Sequence, residues 1–127
     1  MNYENGISKR YDSGCINYLM VDNIDDNINY DSLIPFEDDK YDILSVDCCI
    51  FEEWFPDISN GFPTIHGLYR TTEKGLLSYS GSTIIPLESL PIFKSIVVNK
   101  SKSDVTLLID FINKAIKQHK IIIHYGI

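Results

Sequence analysis

The segment that most restricts the fold of this chain is residues 104–119, near its C-terminus. Ser103 suits the N-cap position of a helix, and Asp104 suits the positive end of the helix dipole. Apolar side chains then recur at helical spacing, at Val105, Leu108, Ile109, Ile112 and Ile116. The pattern predicts an amphipathic helix, and such a helix needs a second layer to cover its apolar stripe.

Two segments of the N-terminal half predict strands for that layer. Residues 15–21 alternate, with Ile16, Tyr18 and Met20 on one face. Residues 41–51 alternate more clearly, and we expect their core face to carry Leu44, Val46, Cys48 and Ile50. This second segment is predicted to be a single strand that runs through both cysteines.

The C-terminal half predicts further strands. Residues 64–71 and 76–80 flank a glycine-bearing turn, which indicates a hairpin, and residues 83–87 extend it into a meander. Residues 92–99 alternate and are rich in β-branched side chains, so we predict a strand there, with a helix as the alternative. Residues 121–127, "IIIHYGI", form the closing strand of the prediction.

These elements predict an α+β fold in which one main C-terminal helix packs on a mainly antiparallel sheet of hairpins. The chain has 127 residues, which fits a single domain over residues 1–127. Residues 1–14 are polar and end in Ser13-Gly14, so we expect a loosely ordered start.

The composition restricts the setting in which the protein works. No apolar run approaches the roughly 20 residues of a membrane span, and the N-terminus lacks the basic start and apolar core of a signal peptide. The three cysteines, Cys15, Cys48 and Cys49, are an odd number, which favours free thiols in a reducing compartment. We therefore expect a cytoplasmic protein that does not contact membranes.

Charge is distributed very unevenly along the chain. Residues 1–57 hold fourteen acidic and three basic side chains, a net charge of −11, whereas residues 58–127 hold four acidic and eight basic ones, a net charge of +4. The acidic half would repel the phosphates of a nucleic acid. A basic protein is the partner that this charge favours, because opposite charges speed encounter and align the two surfaces.

The negative charge is densest at residues 35–57, where eight acids alternate with five aromatic side chains. Aromatic anchors within a charged rim are typical of tight protein interfaces. We predict a partner-binding site formed by Glu37, Asp38, Asp39, Asp42, Glu52, Glu53 and Trp54. The alternative is that Phe51, Phe55 and Trp54 belong to the core and that the acids only solvate the ends of a strand.

A short, acidic, single-domain chain with this acidic and aromatic segment and no catalytic motif resembles the immunity proteins of bacterial toxin systems. The contact-dependent growth inhibition immunity proteins are the nearest comparison. The resemblance implies a cytoplasmic inhibitor that binds and neutralises a cognate basic toxin domain, often a nuclease. It covers the overall character of the chain and carries over no functional residue position by position.

Two other functions stay open. Cys48 or Cys49 could serve a small enzyme as nucleophile with His66 as base, provided that their strands are neighbours. The apolar residues 121–127 could instead pair two copies across a sheet edge and so form a weak homodimer. A toxin inhibitor, in contrast, could act as a monomer. We predict no catalytic residues and no cofactor. We also predict no metal, since the acidic residues 22–33 lack the glycine and the glutamate of a calcium loop.

Overall fold

An antiparallel sheet of seven strands carries three helices in the computed structural model, which describes residues 6–12, 14–22, 41–58, 63–66, 72–74 and 82–126. The elements are β1 (Ile7–Ser8), β2 (Ile16–Val21), β3 (Asp42–Val46), α1 (Cys48–Ile58), β4 (Pro63–His66), β5 (Thr72–Lys74), β6 (Ser82–Ile85), a 3₁₀ turn (Leu87–Ser89), α2 (Leu90–Lys100), α3 (Thr106–Gln118) and β7 (Ile121–Tyr125). The strand order is β1-β3-β2-β7-β6-β4-β5, and each described pair is antiparallel. The predicted α+β fold is confirmed.

The helices all lie on one face of the sheet. The main core joins that face to the three helices, with Ile16, Tyr18, Met20, Leu44, Val46, Ile85 and Ile122 from the strands and Phe51, Trp54, Phe93, Val97, Leu108 and Ile112 among those from the helices. Neighbouring strand residues point to the opposite face. A second buried cluster lies there, formed by Leu19, Val21, Ile43, Ile84, Ile121, Ile123 and Tyr125. The central strands are therefore apolar on both faces.

The predicted strand over residues 41–51 is wrong in its second half. Strand β3 ends at Val46, and α1 begins at Cys48. Asp47 causes the change, because its Oδ1 accepts the Cys49 N–H (2.8 Å) as an N-cap side chain does. From there the apolar positions follow a helical period, with Ile50, Phe51 and Trp54 buried and Glu52 exposed.

Residues 92–99 take the alternative that the sequence allowed and belong to a helix, not to a strand. Leu90, Phe93 and Val97 of α2 are buried at helical spacing, while Val98 is 53% exposed. Pro91 occupies the first turn, where its fixed φ and missing N–H favour a helix start. The sheet is thus covered by three helices, where the sequence predicted one main helix.

The amphipathic C-terminal helix is confirmed as α3. Leu108, Phe111, Ile112 and Ala115 are its buried face. It begins two residues later than predicted, because the carboxylate of Asp104 accepts hydrogen bonds from the Thr106 N–H (3.0 Å) and hydroxyl (2.6 Å). At its end His119 adopts φ 56°, the left-handed conformation that closes many helices.

Strand β7 occupies the middle of the sheet. It pairs with β2 on one side, where Leu19 is opposite Ile123, and with β6 on the other, where Ile84 is opposite Ile123. The hypothesis of a homodimer formed across an exposed edge of residues 121–127 is therefore wrong. Both hydrogen-bonding edges of β7 are occupied within one chain.

The smaller strands differ from the prediction in detail. β4 pairs with both β5 and β6, so the three are not a sequential meander, and residues 72–74 form a strand where a turn was predicted. Residues 67–71 and 76–80 of the predicted hairpin lie outside the described residues. Within the start that was expected to be loose, Ile7 is 2% exposed and pairs with Val46. No described helix has the length and hydropathy to cross a membrane.

A closed circuit of rings fills the centre of the main core. Tyr18, Phe93, Trp54, Phe51 and His124 follow one another around it, with neighbouring ring centroids 4.9–5.8 Å apart. All five side chains are fully buried. Such tilted and edge-on pairs add stabilisation to that of the buried area.

The Tyr18 hydroxyl in this circuit is buried and has no hydrogen-bond partner among the described residues. Replacing Tyr18 by phenylalanine is expected to raise the free energy of unfolding by about 1 kcal/mol, because a buried polar group is removed and no hydrogen bond is lost. Chemical denaturation measures the change. Phe93→Leu, which removes a ring from the same circuit, is expected to lower stability. Destabilisation by Tyr18→Phe would mean that the hydroxyl is hydrogen-bonded in solution.

Candidate functional site

The start of α1 is held firmly against the rest of the fold. The Asp47 N–H donates to the Gly6 carbonyl (2.8 Å), and the Asp47 carbonyl accepts from Ile50 (3.0 Å) and Phe51 (3.1 Å). With the Asp47 side chain bound to the Cys49 N–H, this residue joins β1, β3 and α1 at one point. The surface around it is therefore built on rigid elements.

The helical period of α1 separates its aromatic from its acidic side chains. Phe51 and Trp54 are both 0% exposed, whereas Glu52 is exposed and Glu53 is half-buried. The Trp54 ring contacts Phe51 (4.9 Å between centroids) and Phe93 (5.6 Å). Trp54 is thus a core residue and no part of a binding surface, which corrects the predicted site. The aromatic anchors expected from Phe51 and Trp54 are inside the protein.

Glu53 contacts the loop between α2 and α3. Its carboxylate accepts hydrogen bonds from the Lys102 N–H (2.8 Å), the Ser103 N–H (3.1 Å) and the Ser103 hydroxyl (2.7 Å). Burial raises the pKa of Glu53, but these hydrogen bonds and the charge of Lys102 outweigh it, so that its pKa is lower than usual. Glu53 is ionised and structural, and Ser103, predicted as an N-cap, serves as its partner instead.

The predicted binding residues do not form one patch. Asp42, at the other end of β3, lies about 17 Å from Asp47 along the strand and forms an exposed ion pair with Lys114 (2.8 Å). Glu52 and Glu53 lie together on α1. Glu37, Asp38 and Asp39 lie outside the described residues. A groove beside Asp42 also contains Asp110, but Lys9 and Lys114 share its lining, whereas no basic side chain is among the described residues that line the α1 end.

A shallow depression of about 440 Å³ opens beside the start of α1. Its lining is Gly6, Asp47, Cys49, Ile50, Ser103 and Asp104. Hydrogen bonds from the Thr106 hydroxyl and N–H lower the pKa of Asp104, which keeps that carboxyl ionised. We call this concavity, with its two carboxylates and an apolar side chain, the acidic depression. Glu52 and Glu53 follow on the adjoining face of α1.

Sequence reasoning missed the pairing of Asp47 with Asp104. The two carboxylates are 57 positions apart, and the loop after α2 brings them together. The one local signal is that Asp47 immediately precedes α1 and Asp104 lies two residues before α3, near a helix start that favours its charge. That signal indicates the start of a helix, but it does not predict that the carboxylates of Asp47 and Asp104 lie close together.

The cysteine–histidine dyad of the enzyme hypothesis is not formed. Cys48 follows β3, whereas His66 is in β4, and β2, β7 and β6 lie between these strands. Four strand spacings separate them by about 19 Å. The charge of Asp47 and its hydrogen bond raise the pKa of Cys49, and burial, with nearby acids, raises the pKa of Cys48. Both effects oppose a nucleophilic thiolate.

Among the described residues, no group of three or more His, Cys, Asp or Glu side chains is placed to hold a metal ion. Comparisons of the chain with protein-family models, with curated proteins and with solved structures found no match. The resemblance to immunity proteins therefore stays a hypothesis, and the acidic depression is the feature from which function can be argued.

Proposed function

We propose that the protein is a cytoplasmic, non-catalytic inhibitor that binds a basic partner protein through the acidic depression. The observation that carries the proposal is the meeting of Asp47 and Asp104 in one concave surface, with Glu52 exposed beside them. A concavity of this size admits a lysine or arginine side chain, whose methylene groups would contact Ile50 while its charge meets the carboxylates.

The partner that best fits this surface is a basic toxin domain, of which a nuclease is the natural example. Nucleases need positive surfaces to bind their own phosphate-rich substrates. An acidic inhibitor competes for such a surface, and long-range attraction speeds the encounter. The net charge of −11 in residues 1–57 supplies that attraction. The protein would then act as an immunity protein for a toxin that its own cell produces.

Binding to the protein that the neighbouring upstream gene encodes tests the proposal. We expect submicromolar affinity that weakens strongly as the salt concentration rises from about 50 to about 300 mM, because the attraction is screened. Co-expression of the protein should also restore growth to cells that express the toxin. Absence of binding, or binding that is insensitive to salt, would exclude this function.

Removing the charges of the acidic depression is expected to weaken that binding about tenfold. The variant is Asp47→Asn with Asp104→Asn, since asparagine keeps the helix-start hydrogen bonds that aspartate makes. The matched control is Asp22→Asn with Glu88→Gln, which removes the same charge at the opposite end of the sheet. Titration calorimetry of both double variants gives the comparison. Equal weakening in both would mean that net charge matters and that the depression does not.

A further inference from the structure

All three cysteines of the chain meet near the start of α1, although Cys15 precedes Cys48 by 33 positions. Ile16 is opposite Val46 at the end of the β2–β3 ladder. Continuing that register by one residue sets Cys15 opposite Asp47, directly beside Cys48. The three are reduced thiols, with Cys15 buried, Cys48 half-buried and Cys49 exposed.

The distance between Cys15 and Cys48 is short. The Cys48 Sγ lies 3.8 Å from the carbonyl oxygen of Gly14. That oxygen belongs to the peptide bond leading to Cys15 and lies about 2.8 Å from the Cys15 Cα by standard peptide dimensions. The Cys48 Sγ is therefore no more than about 7 Å from the Cys15 Cα. Since an Sγ lies about 2.8 Å from its own Cα, the two Cα atoms are no more than about 9.5 Å apart. Disulfides join Cα atoms about 4.4–6.8 Å apart, so a backbone shift of at most a few ångströms in the turn before β2 joins this pair.

We propose that Cys15 and Cys48 are a modification site that forms a reversible disulfide with a low-molecular-weight disulfide, such as oxidised glutathione, as the oxidant. The bond would tie the start of β2 to the start of α1, next to Asp47 and Cys49 in the acidic depression. Cys49 is excluded as the partner of Cys48. Consecutive helix residues point about 100° apart, and bridging them would distort the first turn of α1.

The reaction is two thiol–disulfide exchanges. The thiolate of Cys48, the more accessible of the pair, attacks one glutathione sulfur, so that a mixed disulfide forms and one glutathione leaves. The Cys15 thiolate then attacks the Cys48 Sγ, the mixed disulfide breaks and the second glutathione leaves. Two electrons pass from the two cysteine sulfurs to oxidised glutathione, and the two thiol protons end on the two released glutathione molecules.

Burial and the neighbouring carboxylates set the conditions for this reaction. Burial first, then the charges of Asp12 and Asp47, raises the pKa of Cys15 to about 11. Burial, and then Cys15, Asp47, Cys49 and Glu52, raises the pKa of Cys48. Few thiolates exist at neutral pH, so the exchange is slow there and speeds up about tenfold per pH unit on the alkaline side. The disulfide between Cys15 and Cys48 is therefore expected to form under sustained oxidising conditions.

The test treats the folded full chain with oxidised glutathione at about pH 8.5 and digests it with trypsin without reduction. Trypsin cleaves after Arg10, Lys40 and Arg70, so Cys15 falls on peptide 11–40 and the other two cysteines on peptide 41–70. We expect the two peptides to be linked by a disulfide that carries no glutathione, with the exposed Cys49 present as a thiol or as a mixed disulfide with glutathione. A disulfide within peptide 41–70, or linkage of two copies of it, would overturn the proposal.

The exposed residue Cys49 provides a variant that leaves the fold intact. After the same oxidation, the Cys49→Ser protein is expected to have lost both of its remaining thiols, those of Cys15 and Cys48. Its peptides 11–40 and 41–70 should still be linked. Retention of both thiols by this variant would contradict the pairing of Cys15 with Cys48. These readouts need no partner protein, so the inference stands or fails separately from the proposed inhibitor function.

Discussion

Replacing Trp54 by alanine is expected to lower the free energy of unfolding by about 3–5 kcal/mol. The Trp54 ring is 0% exposed and lies between Phe51 and Phe93 in the closed circuit of rings. Its removal leaves a large cavity where α1 and α2 pack on the sheet, and the surrounding side chains cannot close it fully. Urea denaturation followed by far-ultraviolet circular dichroism measures the loss.

Two further variants separate a core role from a binding role. Glu52→Ala, on the exposed face of the same helix, is expected to change stability by less than about 0.5 kcal/mol. Trp54→Phe keeps an aromatic ring and removes a buried indole N–H that has no partner among the described residues, so it should cost less than the alanine variant. A Trp54→Ala protein of normal stability that has lost partner binding would show that Trp54 belongs to an interface.

Replacing Glu53 by alanine is expected to cost about 1–2 kcal/mol of stability at neutral pH. Three hydrogen bonds to its carboxylate connect α1 to the loop before α3. A hydrogen bond to a charged group contributes more than a neutral one, but this carboxylate is half-exposed and solvent screens part of the effect. Thermal denaturation of the two proteins, with Ser103→Ala as a smaller perturbation of the same contact, measures the cost.

The cost is expected to depend on pH. The pKa of Glu53 is lower in the folded protein than its ordinary value of 4.5, so folding favours the ionised form. Its contribution to stability is therefore present above the unfolded-state pKa and is lost as the pH falls through the folded-state pKa. The difference between the wild-type protein and Glu53→Ala should shrink as the pH falls below about 4.5. A difference that stays constant down to pH 2 would show that the charge of Glu53 is irrelevant.

The prediction of α3 succeeded because its signal is local. Leu108, Ile112 and Ala115 repeat over about two turns, and no other secondary structure would put them on one face. The segment at residues 41–51 was harder, since its apolar residues satisfy a period of two up to Val46 and a period of 3.6 after Asp47. Asp47 was the available signal, as an aspartate that opens a helical pattern.

The candidate site was less predictable than the fold. Charge counting located the acidic half and named Glu52 and Glu53, which are consecutive residues of α1. It could not separate Glu53, whose oxygens are used by Lys102 and Ser103, from Glu52 on the exposed surface. It predicted Trp54 at the surface. Glu53 and Phe55 flank this tryptophan, and its burial cannot be predicted until it is known which residues of the helix face the core.

By itself the sequence determined the fold class, the position of the main amphipathic helix and the concentration of negative charge before residue 58, because each follows from composition or from a short-range period. The tertiary structure decided which side chains meet. It placed β7 at the centre of the sheet, set Asp104 beside Asp47, and brought Cys15 to Cys48. These contacts join residues tens of positions apart, and strand pairing and helix packing bring them together, so no local pattern records them.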